Sequence, residues 1–421
     1  MTAVMEEEAR NFAALVQDDR VHTSLYRNPA IFDEEMERIF KNTWVWVAHA
    51  SEIPVKGSFV KSWVGNQPVI VTRDKDDRFH VLLNRCRHRA ATVCEKKKGK
   101  TSVFVCPYHG WSYDIDGKLR SVPHSAVYGE DFDKADFPLV SLRVEHYQGM
   151  IFATFRDDIE PLVEFLGPAK TWMDLFMKQG AGHPVKTMGE HQFRFNGNWK
   201  IQLENTTDAY HFPIVHKTFI DSLDAETGNV FDVLGQGGWV EDLGNGHSLM
   251  VMIPDLVDLE QDADIPERFA ALAEDLRAEG RDEAEVRRIV RAVGGTGFNL
   301  NLFPNVACSM AFFRVLRPVS VDETEIRHIA IGMDGGSEAG NRMRLRLHEH
   351  FQGPMGFGSP DDAEGWERVQ RGAAAGDDLW ILVNRGQDPL VGHGAGSNVG
   401  DVSAETGMRA AYGMWKRMME A

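Results

Sequence analysis

The sequence predicts an α+β protein that carries a small all-β module, and three observations support this. Between Trp44 and Phe155 the chain breaks into short β-type runs, SFVKSWV, QPVIVTR, RFHVLLN, SVFVCPY and MIFATF, with DKDD and DIDGK as turns between some of them. After residue 160 helical and strand patterns mix without the regular strand–helix–strand beat of a parallel sheet. The length, 421 residues at 43% hydrophobic content, supplies apolar side chains for a sizeable core or for two to three smaller ones.

The elements follow in order. In IFDEEMERIFK, residues 31–41, Phe32, Met36, Ile39 and Phe40 recur at helical spacing. The β-type block comes next and ends near RDDIEPL, residues 156–162, which reads as a linker. EHQFRFNGNW reads as a strand, and KIQLENTTDAYH as a helix running to His211. Residues 262–293 read as two charged amphipathic helices. HSLMVMI, VACSMAFFRVLRP and EIRHIAIGMD each read as a strand, and the tail from Asp361 as mostly helical. There is no internal repeat and no low-complexity tract.

Composition narrows the function. A formal charge of -17 argues against broad nucleic-acid or anionic-membrane binding. No stretch approaches the ~18 consecutive apolar residues of a membrane span, and the acidic start MTAVMEEEARNF lacks the pattern of a secretory signal. A cytoplasmic protein is expected. Four cysteines are too few for a disulfide scaffold, and two of them sit among histidines, which points to metal binding in a reducing compartment.

Those two begin the first chemical cluster. Cys86-x-His88 and Cys106-x2-His109 each follow a β run, and each loop supplies one thiolate and one imidazole. A zinc finger groups like ligands in pairs. Mixed loops instead suit a [2Fe–2S] cluster with one iron on two cysteines and the other on two histidines, the Rieske arrangement. Gly110 lets the second loop pass close to the cluster, and Trp111 shields it. Cys94 and Cys308 have no histidine partner and read as buried thiols.

The second cluster lies in GNWKIQLENTTDAYHFPIVH, residues 197–216. In a helix through His211, residues Glu204, Asp208 and His211 share one face. Pro213 turns the chain after His211, so that His216 swings back toward the same point. Two imidazoles and one carboxylate make a facial triad with open positions for dioxygen and substrate, and an electron-transfer cluster needs such a destination. Which carboxylate completes it is left open by these residues alone.

CRH…CPYHGW, GNWK (Gly197–Lys200), EN…DAYH…H, FPN (Phe303–Asn305) and SPDD…WERVQRG (Ser359–Gly372) together resemble the large (α) subunit of the Rieske non-haem iron ring-hydroxylating oxygenases over nearly the whole chain. The resemblance implies an N-terminal helical segment over 1–43 on the catalytic domain, a Rieske domain over 44–158, and a catalytic domain over 159–421 with a helix-grip (START/Bet v 1-like) shape, a curved antiparallel sheet around a long helix enclosing an apolar pocket. It implies a mononuclear Fe(2+) on His211, His216 and Asp362, with the neighbouring Asp361 as a helix cap. It gives Asp208 the role of bridging a Rieske histidine of one subunit to an iron-binding histidine of the next. It turns Asn205 toward the iron and leaves Glu204 a structural group.

The activity implied is hydroxylation of an aromatic ring, such as that of an aromatic carboxylate, with O2. Electrons are expected from a separate NAD(P)H-dependent reductase, with or without a ferredoxin, because GQGGWVEDLGNG lacks the strand-and-helix setting of a dinucleotide fingerprint. An α3 homotrimer or an α3β3 assembly with a small subunit is expected. Phe212, Val215, Met252, Leu302, Phe303, Phe351 and Phe357 are pocket candidates, and residues 262–293 a candidate lid. The rival readings are a Rieske monooxygenase that removes O- or N-methyl groups, and a non-catalytic electron-transfer or ligand-binding protein.

Overall fold

The computed structural model describes residues 12–376, 379–387 and 398–420. It divides into two compact units, one made of Phe40–Leu162 and the other of the chain up to Ile39 together with Val163 onward.

Phe40–Leu162 is almost entirely β. Its larger sheet is antiparallel, in the order Val45–His49, Met150–Thr154, Ser141–Tyr147, Phe79–Leu83, Gln67–Arg73, Ser58–Val64, Lys98–Lys100. A second sheet joins Val103–Val105, Ser112–Asp114 and Leu119–Ser121. Phe59, Ile70, Leu82, Phe104, Trp111 and Tyr113 form the core between them, with Cys86 and Cys106 buried at its margin. Each cysteine opens a tight turn. Ala90 N–H returns to Cys86 O at 3.1 Å, and Gly110 N–H to Cys106 O at 3.0 Å. Gly110 has φ +74°, a left-handed conformation that glycine adopts without strain.

The other unit is built on an eight-stranded antiparallel sheet in the order Val185–Phe195, Glu323–Met333, Phe312–Ser320, Val306–Ser309, Phe298–Leu302, His247–Val251, Trp239–Gly244, Val399–Asp401. Bulges at Thr187/Gly189, Asp242/Gly244 and Pro318/Ser320 bend it. Helix Thr406–Glu420 packs on Trp239–Gly244 and His247–Val251, and helix Glu338–Gln352 on Glu323–Met333. Helices Ala270–Ala278 and Glu283–Val293 bury Leu272, Leu276, Val286, Ile289 and Val290 in a shared core with Met333 and Ala339.

Three expectations are corrected. The helix expected to reach His211 ends at Thr206, where Thr207 Oγ1 donates back to Glu204 O at 2.8 Å and competes with the next helical bond. VACSMAFFRVLRP is two strands, because the chain reverses at Met310, which has φ +48°. The tail contains the strands Trp380–Leu382 and Val399–Asp401 as well as helices.

Candidate metal centres and cavity

In the β unit His88 Nδ1 and His109 Nδ1 face each other at 3.1 Å. The His88 ring stacks on Trp111, 5.0 Å between centroids and 8° between planes, so the tryptophan fixes the imidazole's orientation. Cys86 Sγ lies 3.2 Å from Tyr113 Oη, and both Cys86 and Cys106 are free and buried. These four side chains do not form a single-ion site: among the described residues, only His211, His216 and Asp362 bring three ligand atoms within 4.8 Å of one another. Two thiols and two imidazoles spread wider than one ion fit a two-iron cluster better than zinc. The histidine edges are half-buried; Tyr108 beside His109, Val105 before that loop, and Val127 and Tyr128 of the turn that reaches His88 are exposed.

In the other unit the local sequence explains how the second centre forms. Helix Trp199–Thr206 starts at Asn198, whose side chain accepts from Lys200 N–H. After it ends, residues 207–211 turn, and Pro213 sits in the first turn of helix Phe212–Val215, where its missing N–H costs nothing. His211 and His216 therefore flank a one-turn helix. Asp362 comes from the first turn of helix Ser359–Ala373.

Asp362 Oδ1 lies 3.5 Å from His211 Nε2 and 3.2 Å from His216 Nε2, and all but 4% of Asp362 is buried. Three lone-pair donors aimed at one point, two of them buried and His211 partly so, are what a divalent cation takes up. Burial opposes the His211 imidazolium, but Asp208 and Asp362 raise it to about 9. Burial also opposes the charged form of Asp362, yet His211 and His216 hold it well below the usual carboxylate range. Each partner thus stabilises the charge on the other.

The remaining residues singled out from the sequence fall as follows. Asp208 Oδ1 accepts from His211 N–H at 3.1 Å and lies 3.5 Å from His211 Nδ1. Asn205 Nδ2 lies 3.3 Å from both His211 Nε2 and Asp362 Oδ1. Glu204 does not share their face. It is buried against Tyr26 and Tyr412, accepting from both hydroxyls, at 2.6 Å from Tyr26. Burial raises its carboxyl to about 7 against the pull of the two tyrosines. Asp361 is not the helix cap, a position held by Gly358, and its side chain is partly exposed, 3.8 Å from His216 Nδ1.

His211, His216 and Asp362 open onto a cavity of about 870 Å³. Phe212, Met252 and Phe351 line it, whereas Val215, Leu302, Phe303 and Phe357 do not. Phe351 stands 5.2 Å from the His216 ring. Residues 262–293 contribute Ile265, Phe269 and Val290 to the wall, and their helices are packed into the core.

Sequence reasoning missed Arg314, Gln352 and His348, all buried and all on the wall. The signal for Arg314 was available: a charge in an apolar strand, two residues from Phe312 and so on the same face. His348 has both ring nitrogens buried without partners, and burial holds it neutral at about 4.

Two family models match the chain. A Rieske [2Fe-2S] domain covers residues 43–140, and a ring hydroxylating alpha subunit catalytic domain covers residues 183–421. The anthranilate 1,2-dioxygenase large subunit of Acinetobacter baylyi is 32% identical, over 100% of this chain and 95% of its own length. The toluate 1,2-dioxygenase subunit alpha of Pseudomonas putida is 31% identical, over 89% and 85%. A naphthalene 1,2-dioxygenase crystallised with indole in its active site superposes with a TM-score of 0.80 at 27% identity, covering 98% of this chain and 95% of that one.

Proposed function

The chain belongs to the ring-hydroxylating oxygenase α-subunit family, and from that premise we propose that it hydroxylates aromatic carboxylates. It is an oxidoreductase with a Rieske [2Fe–2S] domain and a catalytic domain that uses a mononuclear iron, and its fold comprises a Rieske domain and a domain with a curved antiparallel sheet. The observation that carries the functional reading is the triad of His211, His216 and Asp362 at the wall of a cavity large enough for a substituted ring.

In this reading Cys86 and Cys106 hold one iron of the cluster, His88 and His109 the other, and His211, His216 and Asp362 the mononuclear iron. When bound, the two centres supply single electrons and the activation of dioxygen beside the ring. The chain's own residues do the rest. Phe212 and Phe351 hold the ring and exclude water. Asn205 keeps an amide donor 3.3 Å from Asp362 Oδ1, steadying the carboxylate. Asp208, fixed by the backbone N–H of His211, is poised to accept an imidazole N–H from a neighbouring subunit and join the two centres. The exposed Val105, Tyr108, Val127 and Tyr128 give that neighbour an apolar contact around the histidine edges.

The assembly that follows is an α3 ring, alone or with a small β subunit, in the cytoplasm, fed by a separate NAD(P)H-dependent reductase with or without a ferredoxin. The domain limits proposed with it are 1–43, 44–158 and 159–421. The relatives favour an acid substrate, since anthranilate and toluate dioxygenases both carry carboxylates in their names.

The test is anaerobic reduction of the holoenzyme, then oxygen uptake with a panel of aromatic acids and hydrocarbons and product analysis. Oxygen uptake coupled to ring hydroxylation of an acid is expected. Loss of a methyl group without ring hydroxylation would favour the demethylating monooxygenase instead.

A further inference from the structure

One wall of the cavity is a hydrogen-bonded chain of buried side chains with a fixed direction. It begins at Arg314, whose Nη1 donates to Thr206 Oγ1 at 3.1 Å and whose Nε donates to His328 Nε2 at 3.1 Å. A guanidinium has only donors, so His328 Nε2 is an acceptor and the ring proton sits on Nδ1. Nδ1 faces Ser359 Oγ at 3.2 Å. Ser359 Oγ is 2.9 Å from Gln352 Oε1 and 3.1 Å from Gln352 O, so its own proton goes toward Gln352. The structure turns Gln352 Oε1 toward Ser359 as an acceptor, which leaves Nε2 as the donor without a protein partner.

Both ends of the chain therefore present N–H donors to the same cavity. Arg314 and Gln352 line it, each 6% exposed. Among the described residues no carboxylate pairs with Arg314, and neither its Nη2 nor Gln352 Nε2 has a hydrogen-bond partner. Burial disfavours the Arg314 cation, and the Asp362 carboxylate offsets this only through space, so an anionic ligand at this wall would supply a directly paired counter-charge.

The wall is also close to the metal-binding triad. Gln352 follows Phe351, whose ring stands 5.2 Å from the His216 ring. Thr206, which anchors the other end, follows Asn205, itself 3.3 Å from Asp362.

We propose that Arg314 and Gln352 together take the carboxylate of the aromatic acid, and that Gln352, its Oε1 turned to Ser359, is the residue that separates acids from neutral rings. This rests on the aromatic-acid reading above. The carboxylate held there brings the ring carbons that bear and adjoin it to the triad.

The test uses the full-length holoenzyme and its variants Gln352→Glu and Gln352→Leu. Benzoate, anthranilate and 3-methylbenzoate are the acid probes and indole the neutral one, each followed by calorimetric binding and by KM and kcat. The visible Rieske spectrum and iron content serve as fold controls. Either substitution removes the donor, and Glu adds repulsion, so the ratio of acid to indole affinity should fall about tenfold in Leu and further in Glu, carried by KM for the acids more than by kcat. Unchanged acid affinity in both variants, or equal loss for acids and indole, overturns the role of Gln352 while leaving the substrate class standing. A wild-type enzyme that binds indole and none of the acids overturns the substrate class, and the proposal with it.

Discussion

Glu35 should be the charge that holds the N-terminal segment to the catalytic unit. It is fully buried in helix Pro29–Glu35 and accepts three hydrogen bonds: from Lys200 Nζ at 2.6 Å, Trp199 Nε1 at 2.8 Å and Trp415 Nε1 at 2.7 Å. Lys200 is 2% exposed. Burial pushes its ammonium toward the neutral form, against the attraction of Glu35. Glu35→Ala leaves that ammonium and two indole N–H groups buried without their acceptor. Breaking one side of a buried ion pair costs about 3–5 kcal/mol, and the stranded indoles add to it. Replacing both partners, Glu35→Leu with Lys200→Met, removes the stranded charge and should recover most of the loss. Urea unfolding of wild type, each single variant and the double variant measures this, with a coupling above about 2 kcal/mol expected. Lys200 lies on the helix that carries Asn205, so the single variant should also bind mononuclear iron less tightly. A Glu35→Ala cost below about 1 kcal/mol, or singles that simply add in the double variant, would refute the reasoning.

Two further outcomes follow from groups near the centres. The Glu204 carboxyl stands at about 7 in the fold against an ordinary 4.5. A raised folded pKa means that its contribution to stability is complete below pH 4.5 and is lost as pH rises through 7, by about 3 kcal/mol in all. Melting temperatures should therefore drop from pH 5 to pH 8 more in wild type than in Glu204→Gln, and parallel curves would count against a protonated Glu204. Tyr113→Phe removes the hydroxyl 3.2 Å from Cys86 Sγ and should lower the cluster's potential in protein-film voltammetry by on the order of 40 mV, the one-electron equivalent of about 1 kcal/mol. An unchanged potential would mean that the hydroxyl does not donate to the thiolate.

How much was legible depended on how local each signal was. The β module showed because its runs are short, rich in β-branched and aromatic residues, and separated in places by turn segments. The Cys86–His88 and Cys106–His109 loops showed because both ligands of each loop lie within four residues. The end of the helix at Thr206 was written in TTD, two β-branched residues and an aspartate, but the apolar residues around it masked the stop. The turn at Met310 carries no glycine, proline or asparagine, so VACSMAFFRVLRP had nothing to divide it. The carboxylate of the triad comes from a helix about 150 residues beyond His211, a distance that no spacing rule spans. Arg314 stood out as a charge in an apolar strand, but that it meets Gln352 at one wall follows only from the sheet and helix that carry them.

The central claim is that two separate centres are held by separate sets of residues, and metal analysis of wild type against Asp362→Ala tests it most directly. The account predicts about three irons and two acid-labile sulfides per chain in wild type. It predicts about two irons and two sulfides in Asp362→Ala, with the Rieske visible and EPR signals kept and oxygen uptake abolished. Loss of the Rieske signals along with the third iron, or zinc in place of iron and sulfide in the wild type, would contradict it.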